Sequence, residues 1–297
     1  MTTLVCPAPA KLNLFLHVVG RRADGYHLLQ TLFRLIDYGD TLHLSLREDG
    51  RIVRQQPLAG VAEADDLCIR AAQLLKAETG SVPGVNIRLE KRLPMGGGLG
   101  GGSSDAASVL LGLNRLWSLR LSRSRLQELA LKLGADVPFF VFGQTALAEG
   151  IGETLQAVTL APAWYVVLTP AASVSTQAIF AHPDLTRDSE IIKIADFSEA
   201  SLFGMQNDLQ AVVCRDYPEV ARHLGWLGQH GIARMSGSGA CVFAAFDTAE
   251  TAQGVLAKIP RNMRGFVAAG LDKHPLYDYA DDNEVAQSLS NRGVAKW

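Results

Sequence analysis

Residues 94–105 read Pro94-Met95-Gly96-Gly97-Gly98-Leu99-Gly100-Gly101-Gly102-Ser103-Ser104-Asp105, and six of the seven residues from Gly96 to Gly102 are glycine. Glycine loses more conformational freedom on folding than any other residue, so a run this dense weakens the element that contains it. A chain carries such a run where its backbone must approach something closely, or where φ must be positive. An apolar helical pattern, Ala106 to about Leu119, follows at once. At a helix start the first N–H groups lack intrahelical acceptors and the macrodipole is positive. Uncovered glycine N–H groups, with the hydroxyls of Ser103 and Ser104 beside them, have the construction of a phosphate cradle.

Other readings of this loop fit less well. A flexible Gly/Ser linker matches the composition, but Val85-Asn86-Ile87-Arg88-Leu89 alternates like a strand before it and a helix pattern begins directly after it. Gly96, Gly98 and Gly101 match G-x-G-x-x-G, yet the acidic residue that a dinucleotide site needs about 20 residues on is missing from Leu119-Arg120-Leu121-Ser122-Arg123. A Walker-type loop needs a lysine before its hydroxyl residue, and Gly102 stands there. A phosphate loop of another type remains.

The 297 residues suffice for one large domain or two ordinary ones. With 48% hydrophobic and 20% charged residues the chain reads as globular. The net charge of −2, without long runs of either sign, argues against nucleic acid or an anionic membrane as a partner. Cys6, Cys68, Cys214 and Cys241 form no C-x-x-C pair, which points to free thiols in a reducing compartment. The seven histidines show no zinc spacing. No signal-like h-region, transit segment or apolar run of spanning length is read, so the expected location is the cytoplasm.

From Lys11 the first strand alternates. Leu12, Leu14, Leu16 and Val18 face one way, and Lys11, Asn13, Phe15 and His17 the other. Pro7 and Pro9 suit the entry to a strand. Lys11 and Asn13 either face solvent or line a polar cleft; the spacing permits both. Asp24-Gly25 and Asp37-Tyr38-Gly39-Asp40 read as turns, and Thr41–Leu46 as a strand. Asp65-Asp66 cap a helix from Leu67 that Gly80 ends. Ser122 or Ser124 caps another, with Ser124 and Gln127 spaced as a capping box, and it stops at Gly134. Asp136 then lies in a tight connection, because Pro138 forbids a continuing helix, leading into an apolar strand; such an Asp commonly bonds nearby backbone N–H groups.

A seam falls near residues 152–163. Beyond it the pattern gives a strand at Trp164–Leu168, a loop over Ser173–Phe180, helices near Ser198–Val213 and Pro218–His230, a strand-turn-strand over Ala233–Phe246, a helix at Thr248–Lys258 and a strand at Gly265–Leu271. This order predicts a ferredoxin-like layer. Met235-Ser236-Gly237-Ser238-Gly239-Ala240 is a second Gly/Ser loop, either a simple hairpin turn or a second anion-facing nest. From about Asp281 the chain is polar and aperiodic, as a loose tail would be.

Pro9-Ala10-Lys11-Leu12-Asn13-Leu14, Pro94 to Ser104 and Ser236 to Ala240 occur in the order found in the GHMP kinase superfamily, which the chain resembles over roughly residues 5–275. Asp24-Gly25-Tyr26-His27, Lys91-Arg92-Leu93-Pro94-Met95 and Gly134-Ala135-Asp136-Val137-Pro138 make it most similar to the branch acting on a cytidine diphosphate-linked methylerythritol. The resemblance implies an α+β, two-domain GHMP-kinase fold. Residues 1–156 would form the N-terminal domain with its phosphate loop at a helix start, 157–280 a ferredoxin-like C-terminal domain, and 281–297 a polar tail.

It implies transfer of the γ-phosphate of ATP to the C2 hydroxyl of that small-molecule substrate, in the non-mevalonate route to isoprenoid precursors. Asp136 would be the general base and Lys11 would steady negative charge. Lys91, Pro94, Met95, Gly96, Gly97, Gly98, Leu99, Gly100, Gly101, Gly102, Ser103 and Ser104 would hold ATP. Tyr26 and Phe180 would sandwich the cytosine, His27 would hydrogen-bond it, and Asn13 and Thr176 would lie nearby; read by themselves, Tyr26 and Phe180 are equally core residues. Mg²⁺ is expected with ATP, held by phosphates, water and Ser104, with no acidic ligand placed. Asp66 stands where the family often has Asn, and it is left out of the site. The partners implied are the small-molecule substrate alone, with no nucleic acid and no membrane, for a monomer or weak homodimer. Kinases of other branches and a nucleotide-binding regulator without turnover are the competing classes.

Overall fold

The computed structural model describes residues 3–80, 83–192, 202 and 204–282. Its centre is a long antiparallel pair, β1 (Thr3–Arg21) and β2 (His27–Arg47), joined through the Asp24-Gly25 turn. β1 covers one edge of β2 along most of its length. The other edge is shared in turn by β5 (Ala146–Glu149), β10 (Gly265–Leu271) and β4 (Gly84–Glu90), the last of which pairs in parallel with β3 (Ile52–Arg54). β6 (Thr154–Ala157) closes a hairpin with β5.

Two expectations about this pair need correction. Pro7 and Pro9 lie inside β1, opposite Thr41 and Gly39. Prolines are tolerated there because β1 is an edge strand, and among the described residues its outer side pairs with no further strand, carrying an isolated bridge from Leu16 to Asn207 and single main-chain bonds such as Lys11 N to Leu99 O. Asp37-Tyr38-Gly39-Asp40 is likewise not a turn. It stays within β2 as an irregularity in register, Ile36 facing Ala10 and Gly39 facing Pro9. The turn-type residues have other employment: Asp37 Oδ1 accepts from Ala269 N at 2.6 Å, and Tyr38 stacks on Phe266 with centroids 3.6 Å apart.

Four helices cover one face in the first half: α1 (Leu67–Thr79), α2 (Gly101–Leu116), α3 (Arg123–Leu131) and α4 (Val137–Phe142). Asp66 caps α1 by accepting from Cys68 N, and Gly80 ends it, as expected. Ser122 caps α3, so the Ser124–Gln127 box is not used. The segment after Asp136 is helix α4 and not a strand. Pro138 sits in its first turn, where a missing N–H costs nothing, and the strand comes later, at β5.

The second half adds β7 (Trp164–Leu168), α5 (Thr176–Ala181), α6 (Gln210–Asp216), α7 (Pro218–Leu227), β8 (Ala233–Met235), β9 (Val242–Phe246) and α8 (Ala249–Leu256) before β10. Its antiparallel strand order, β10-β7-β9-β8, is the expected ferredoxin-like one. Part of the loop read over Ser173–Phe180 is helix α5, capped by Ser175. The start of the helix read at Ser198–Val213 and the tail beyond residue 282 lie outside the described residues. No helix among the described residues is long and apolar enough to cross a membrane.

Both faces of β2 are buried. Phe33, Leu35, Leu42 and Leu44 pack under α1–α4 with Val109, Leu110 and Phe140. Leu32 and Ile36 join Leu12, Phe15, Leu99, Val167 and Phe243 in a cluster that links the two halves. Each such side chain contributes about 1.5–3 kcal/mol on burial. The β1–β2 register leaves no room at Gly39, where an added Cβ would lie 2.1 Å from the Ala8 carbonyl oxygen and 2.7 Å from Pro9 Cα. Gly39→Ala is therefore expected to cost about 3 kcal/mol or more. Gly254→Ala in α8, with nothing within 4 Å, is expected to gain about 0.5–1 kcal/mol. Urea unfolding of both variants tests the pair, and equal effects would contradict the packing described.

Candidate active site

The glycine run bends through three left-handed residues, Gly96, Gly98 and Gly100 (φ +67°, +76° and +72°), and α2 begins at Gly101. Neighbours enforce two of them. A Cβ on Gly98 would lie 2.1 Å from Ser236 O, and one on Gly100 would lie 2.8 Å from the Phe140 ring. The loop is fastened at three successive residues: Cys241 N donates to Gly97 O at 3.1 Å, Ser236 Oγ to Gly98 O at 2.9 Å, and Lys11 N to Leu99 O at 3.0 Å. The second Gly/Ser loop is thus the hairpin turn between β8 and β9 and also a brace behind the first. Asn207 Nδ2 holds that turn through Met235 O and Gly237 O, both at 2.8 Å.

On one side of the loop is a cavity of about 210 Å³ lined by Lys11, Asn13, Asp136, Thr176 and Phe180, with Gly96, Gly98, Gly100, Gly237 and Ser238. Lys11 does not face solvent; it is 3% exposed. A buried ammonium is costly unless partners replace its hydration. Its Nζ lies 2.5 Å from Asn13 Oδ1, 3.4 Å from Asp136 Oδ2 and 5.1 Å from the Phe33 ring centroid. Asn13 is fixed in turn by Thr31 Oγ1 at 2.9 Å and, through its own N–H, by Ser236 Oγ at 3.2 Å. Asp136 occupies the N-cap position of α4 but makes no capping bond. Its carboxylate, 36% exposed, points at Lys11 instead of bonding backbone as a turn Asp would.

On the other side lies a cavity of about 330 Å³, lined by Arg54, Asp66, Leu67, Lys91, Met95, Ser103 and Asp105, again with Gly96, Gly98 and Gly100. Lys91 Nζ pairs with Asp40 Oδ2 at 2.5 Å and Asp105 Oδ2 at 2.8 Å. Asp40 Oδ1 also accepts from Arg92 N and Leu93 N, which fixes the approach to the glycine run. Burial acts to lower the Lys91 ammonium, but Asp105 and Asp40 outweigh it and hold it above the usual lysine value. Burial pushes the Asp105 carboxyl up to about 7 against the pull of Lys91. Among the described residues Asp105 Oδ1 has no hydrogen-bond partner. Asp66, left out of the site on sequence grounds, lines this cavity and pairs with Arg54. Ser104 is fully buried and donates its hydroxyl to Pro9 O at 2.6 Å, tying α2 to β1.

Of the expected pyrimidine contacts, Thr176 bonds Ser238 Oγ at 2.7 Å, and Phe180 both packs on the second-half core and lines the smaller cavity. The ring stacked on Phe180 is His27, with centroids 5.0 Å apart and planes at 30°, while Tyr26 stands 61% exposed. Sequence reasoning missed Asp40, Arg54, Asp105 and Arg187, the last of which donates from Nε to His27 Nε2 at 3.1 Å. Asp105 directly follows Ser103-Ser104, and that was its available signal. Asp40 was absorbed into a supposed turn. Arg54 and Arg187 reach the site through the fold alone.

Asp105 yields a pH test. Between its ordinary value near 4 and about 7 the folded chain keeps a proton that the unfolded chain releases. Stability contributed by this group therefore falls as pH rises through that window and levels off above it. Asp105→Asn cannot titrate, so its stability relative to the parent is expected to rise by about 1 kcal/mol or more between about pH 5 and pH 8. Urea unfolding at both pH values measures this, and a constant difference would contradict it.

The GHMP kinases N terminal domain family model matches residues 66–144, and the GHMP kinases C terminal model matches residues 185–265. A 4-diphosphocytidyl-2-C-methyl-D-erythritol kinase of Thiobacillus denitrificans is 66% identical over 93% of this chain and 98% of its own length. One from Nitrosospira multiformis is 60% identical over 94% of this chain and 95% of its own. The crystal structure of a 4-(cytidine 5'-diphospho)-2C-methyl-D-erythritol kinase superposes with a TM-score of 0.78 at 35% identity, covering 90% of this chain and 99% of that one. A mevalonate kinase structure, at 14% identity and a TM-score of 0.66, shares the fold. The chain is a kinase, and it belongs to the 4-diphosphocytidyl-2-C-methyl-D-erythritol kinase family of the GHMP kinase superfamily.

Proposed function

We propose that the chain transfers the γ-phosphoryl group of ATP to the C2 hydroxyl of 4-diphosphocytidyl-2-C-methyl-D-erythritol, a step toward isoprenoid precursors by the non-mevalonate route. The observation that carries this reading is a shared lining. Gly96, Gly98 and Gly100 line both cavities, and Lys11 and Asp136 line only the smaller. The substrate comes from the names of the relatives.

ATP occupies the larger cavity in this proposal, its phosphates on backbone N–H groups of Gly97 to Gly102 and the Ser103 hydroxyl, at the positive end of α2. Lys91, beside Gly101, offsets the charge of Asp40 and Asp105 next to the phosphates, and Ser104 ties the helix start to β1. The acceptor occupies the smaller cavity, its pyrimidine near Phe180, His27 and Tyr26 and its hydroxyl between Asp136 and Lys11. Asp136 accepts the hydroxyl proton as the oxygen bonds to the γ-phosphorus and the bond to the β-phosphate oxygen breaks, releasing ADP. Lys11 steadies negative charge on the reacting oxygens, and the loose transition state leaves positioning and electrostatics as the main contributions. Mg²⁺ accompanies ATP and neutralises phosphate charge. Among the described residues no group of three or more His, Cys, Asp or Glu side chains is set to hold a metal. We further propose the division into 1–156 and 157–280; the two family models fall on either side of that boundary.

A coupled ADP-release assay tests the proposal. ADP release is expected to depend on the cytidine-linked acceptor and to fall sharply with methylerythritol lacking its cytidyl group. Lys11→Ala and Asp136→Asn are each expected to lose about a thousandfold or more in turnover while remaining folded. Near-normal turnover in either variant removes that residue from the catalytic set.

A further inference from the structure

Arg187 lies in the loop after α5, and its guanidinium makes four hydrogen bonds. Nη1 donates to Leu185 O at 2.9 Å, and Nη2 to Phe180 O at 3.0 Å and His182 O at 2.7 Å. Nε donates to His27 Nε2 at 3.1 Å. A guanidinium is a donor only and does not give up its proton in proteins, so His27 Nε2 must present a lone pair. The single proton of the neutral ring then sits on Nδ1. Histidine in water modestly favours the opposite tautomer, and the bond made at one ring nitrogen decides the form of the other.

We propose that Arg187 is a positioning residue that fixes His27 as an Nδ1–H donor stacked on Phe180, and thereby selects cytosine over uracil in the acceptor. The inference rests on the cytidine-linked substrate proposed above. Cytosine N3 is an acceptor whereas uracil N3 carries a proton. A ring held as a donor at Nδ1 matches the first and opposes the second. Partial burial, and after it the cations Arg187, beyond α5, and Arg21, at the end of β1, hold the His27 ring below the usual histidine range. Phe180, the ring packed against it, is uncharged. The donor form is therefore present without a change of protonation near neutral pH. Because the same guanidinium grips the carbonyls of Phe180 and His182, the stacking partner and the donor are set together.

The test uses the full-length enzyme. ¹⁵N spectra of the imidazoles, with His27→Gln to assign the signal, are expected to show neutral His27 protonated at Nδ1 without substrate. Protonation at Nε2 would overturn the proposal. The Michaelis constant for the cytidine-linked acceptor is then measured from about pH 6 to 8 in Arg187→Ala and Arg187→Lys. The alanine variant is expected to raise it about tenfold at the upper end. That loss should recover as pH falls through the His27 titration, because imidazolium carries N–H on both nitrogens. The loss should fall on this constant and not on kcat or on the Michaelis constant for ATP. Preference over a uridine-linked acceptor should narrow about tenfold. Arg187→Lys keeps a donor for Nε2 and is expected to recover most of the effect; it also serves if the alanine variant fails to fold. A loss independent of pH, or one shared by kcat and ATP, would mean a purely structural role and sink the idea. A parent enzyme inactive on the cytidine-linked acceptor would sink the proposed function instead, with the substrate-free tautomer still deciding Arg187's hold on His27.

Discussion

A lysine ammonium taken out of water needs partners that replace its hydration, and meeting that need at Lys11 organises the site. The residue acts twice. Its main-chain N–H holds Leu99 O, and its side chain reaches Asn13 and Asp136 over the Phe33 ring. Asn13 is held by Thr31, which donates to Phe15 O, and by Ser236, which donates to Gly98 O. β1, β2, the glycine run, the β8–β9 turn and the start of α4 therefore meet in one polar network. Satisfied buried networks of this kind are rigid and specify a single arrangement, which is what a phosphoryl-transfer site asks of its scaffold.

A second lysine, 80 positions further on, solves a different problem. Lys91 is shared by two buried carboxylates, so the cluster carries one cation between Asp40 and Asp105. Asp40 is stabilised further by two backbone N–H groups, whereas Asp105 keeps one oxygen unpartnered. Burial accordingly raises Asp105 toward neutrality. Lys11, itself buried, meets its single carboxylate at a partly exposed edge of the smaller cavity, whereas Lys91, partly exposed, lines the larger one over two buried carboxylates.

The features legible in the sequence are those whose chemistry is local. The glycine run announced itself because three of its residues take left-handed dihedrals that glycine suits best, and β10 appears at the residues its pattern predicted. The Asp66 cap and the Gly80 stop of α1 are likewise local. The misreadings share a cause. Asp37–Asp40 has turn chemistry, but pairing with β1 on one edge and contacts from β10 keep it in the strand. Pro138 reads as a helix breaker unless the helix begins one residue earlier, as α4 does. Lys11 and Asn13 were placed on one face by alternation, yet only the closure of the β8–β9 turn over them shows that this face is interior. Arg187 meets His27 across 160 residues, and no local pattern announces such a contact.

The three left-handed glycines do not serve one purpose. Gly98 and Gly100 are enforced by what touches them, since a Cβ at either would strike Ser236 O or the Phe140 ring. Gly96 has the same sign of φ, but nothing lies within 4 Å of where its Cβ would stand, and it lines both cavities. Packing therefore does not demand glycine at Gly96. Its backbone dihedral does, and so does the space beside it, where any side chain would intrude on both cavities at once. Bare main chain leaves the two cavities as close together as a polypeptide allows. In the proposed reaction the phosphoryl group held by N–H donors and the hydroxyl positioned by Lys11 and Asp136 meet past the edge of this loop, because in-line attack needs the two atoms about 3–3.5 Å apart with no main chain between them. The braces at Gly97, Gly98 and Leu99 then supply from neighbouring backbone and Ser236 the stiffness that a glycine run lacks on its own.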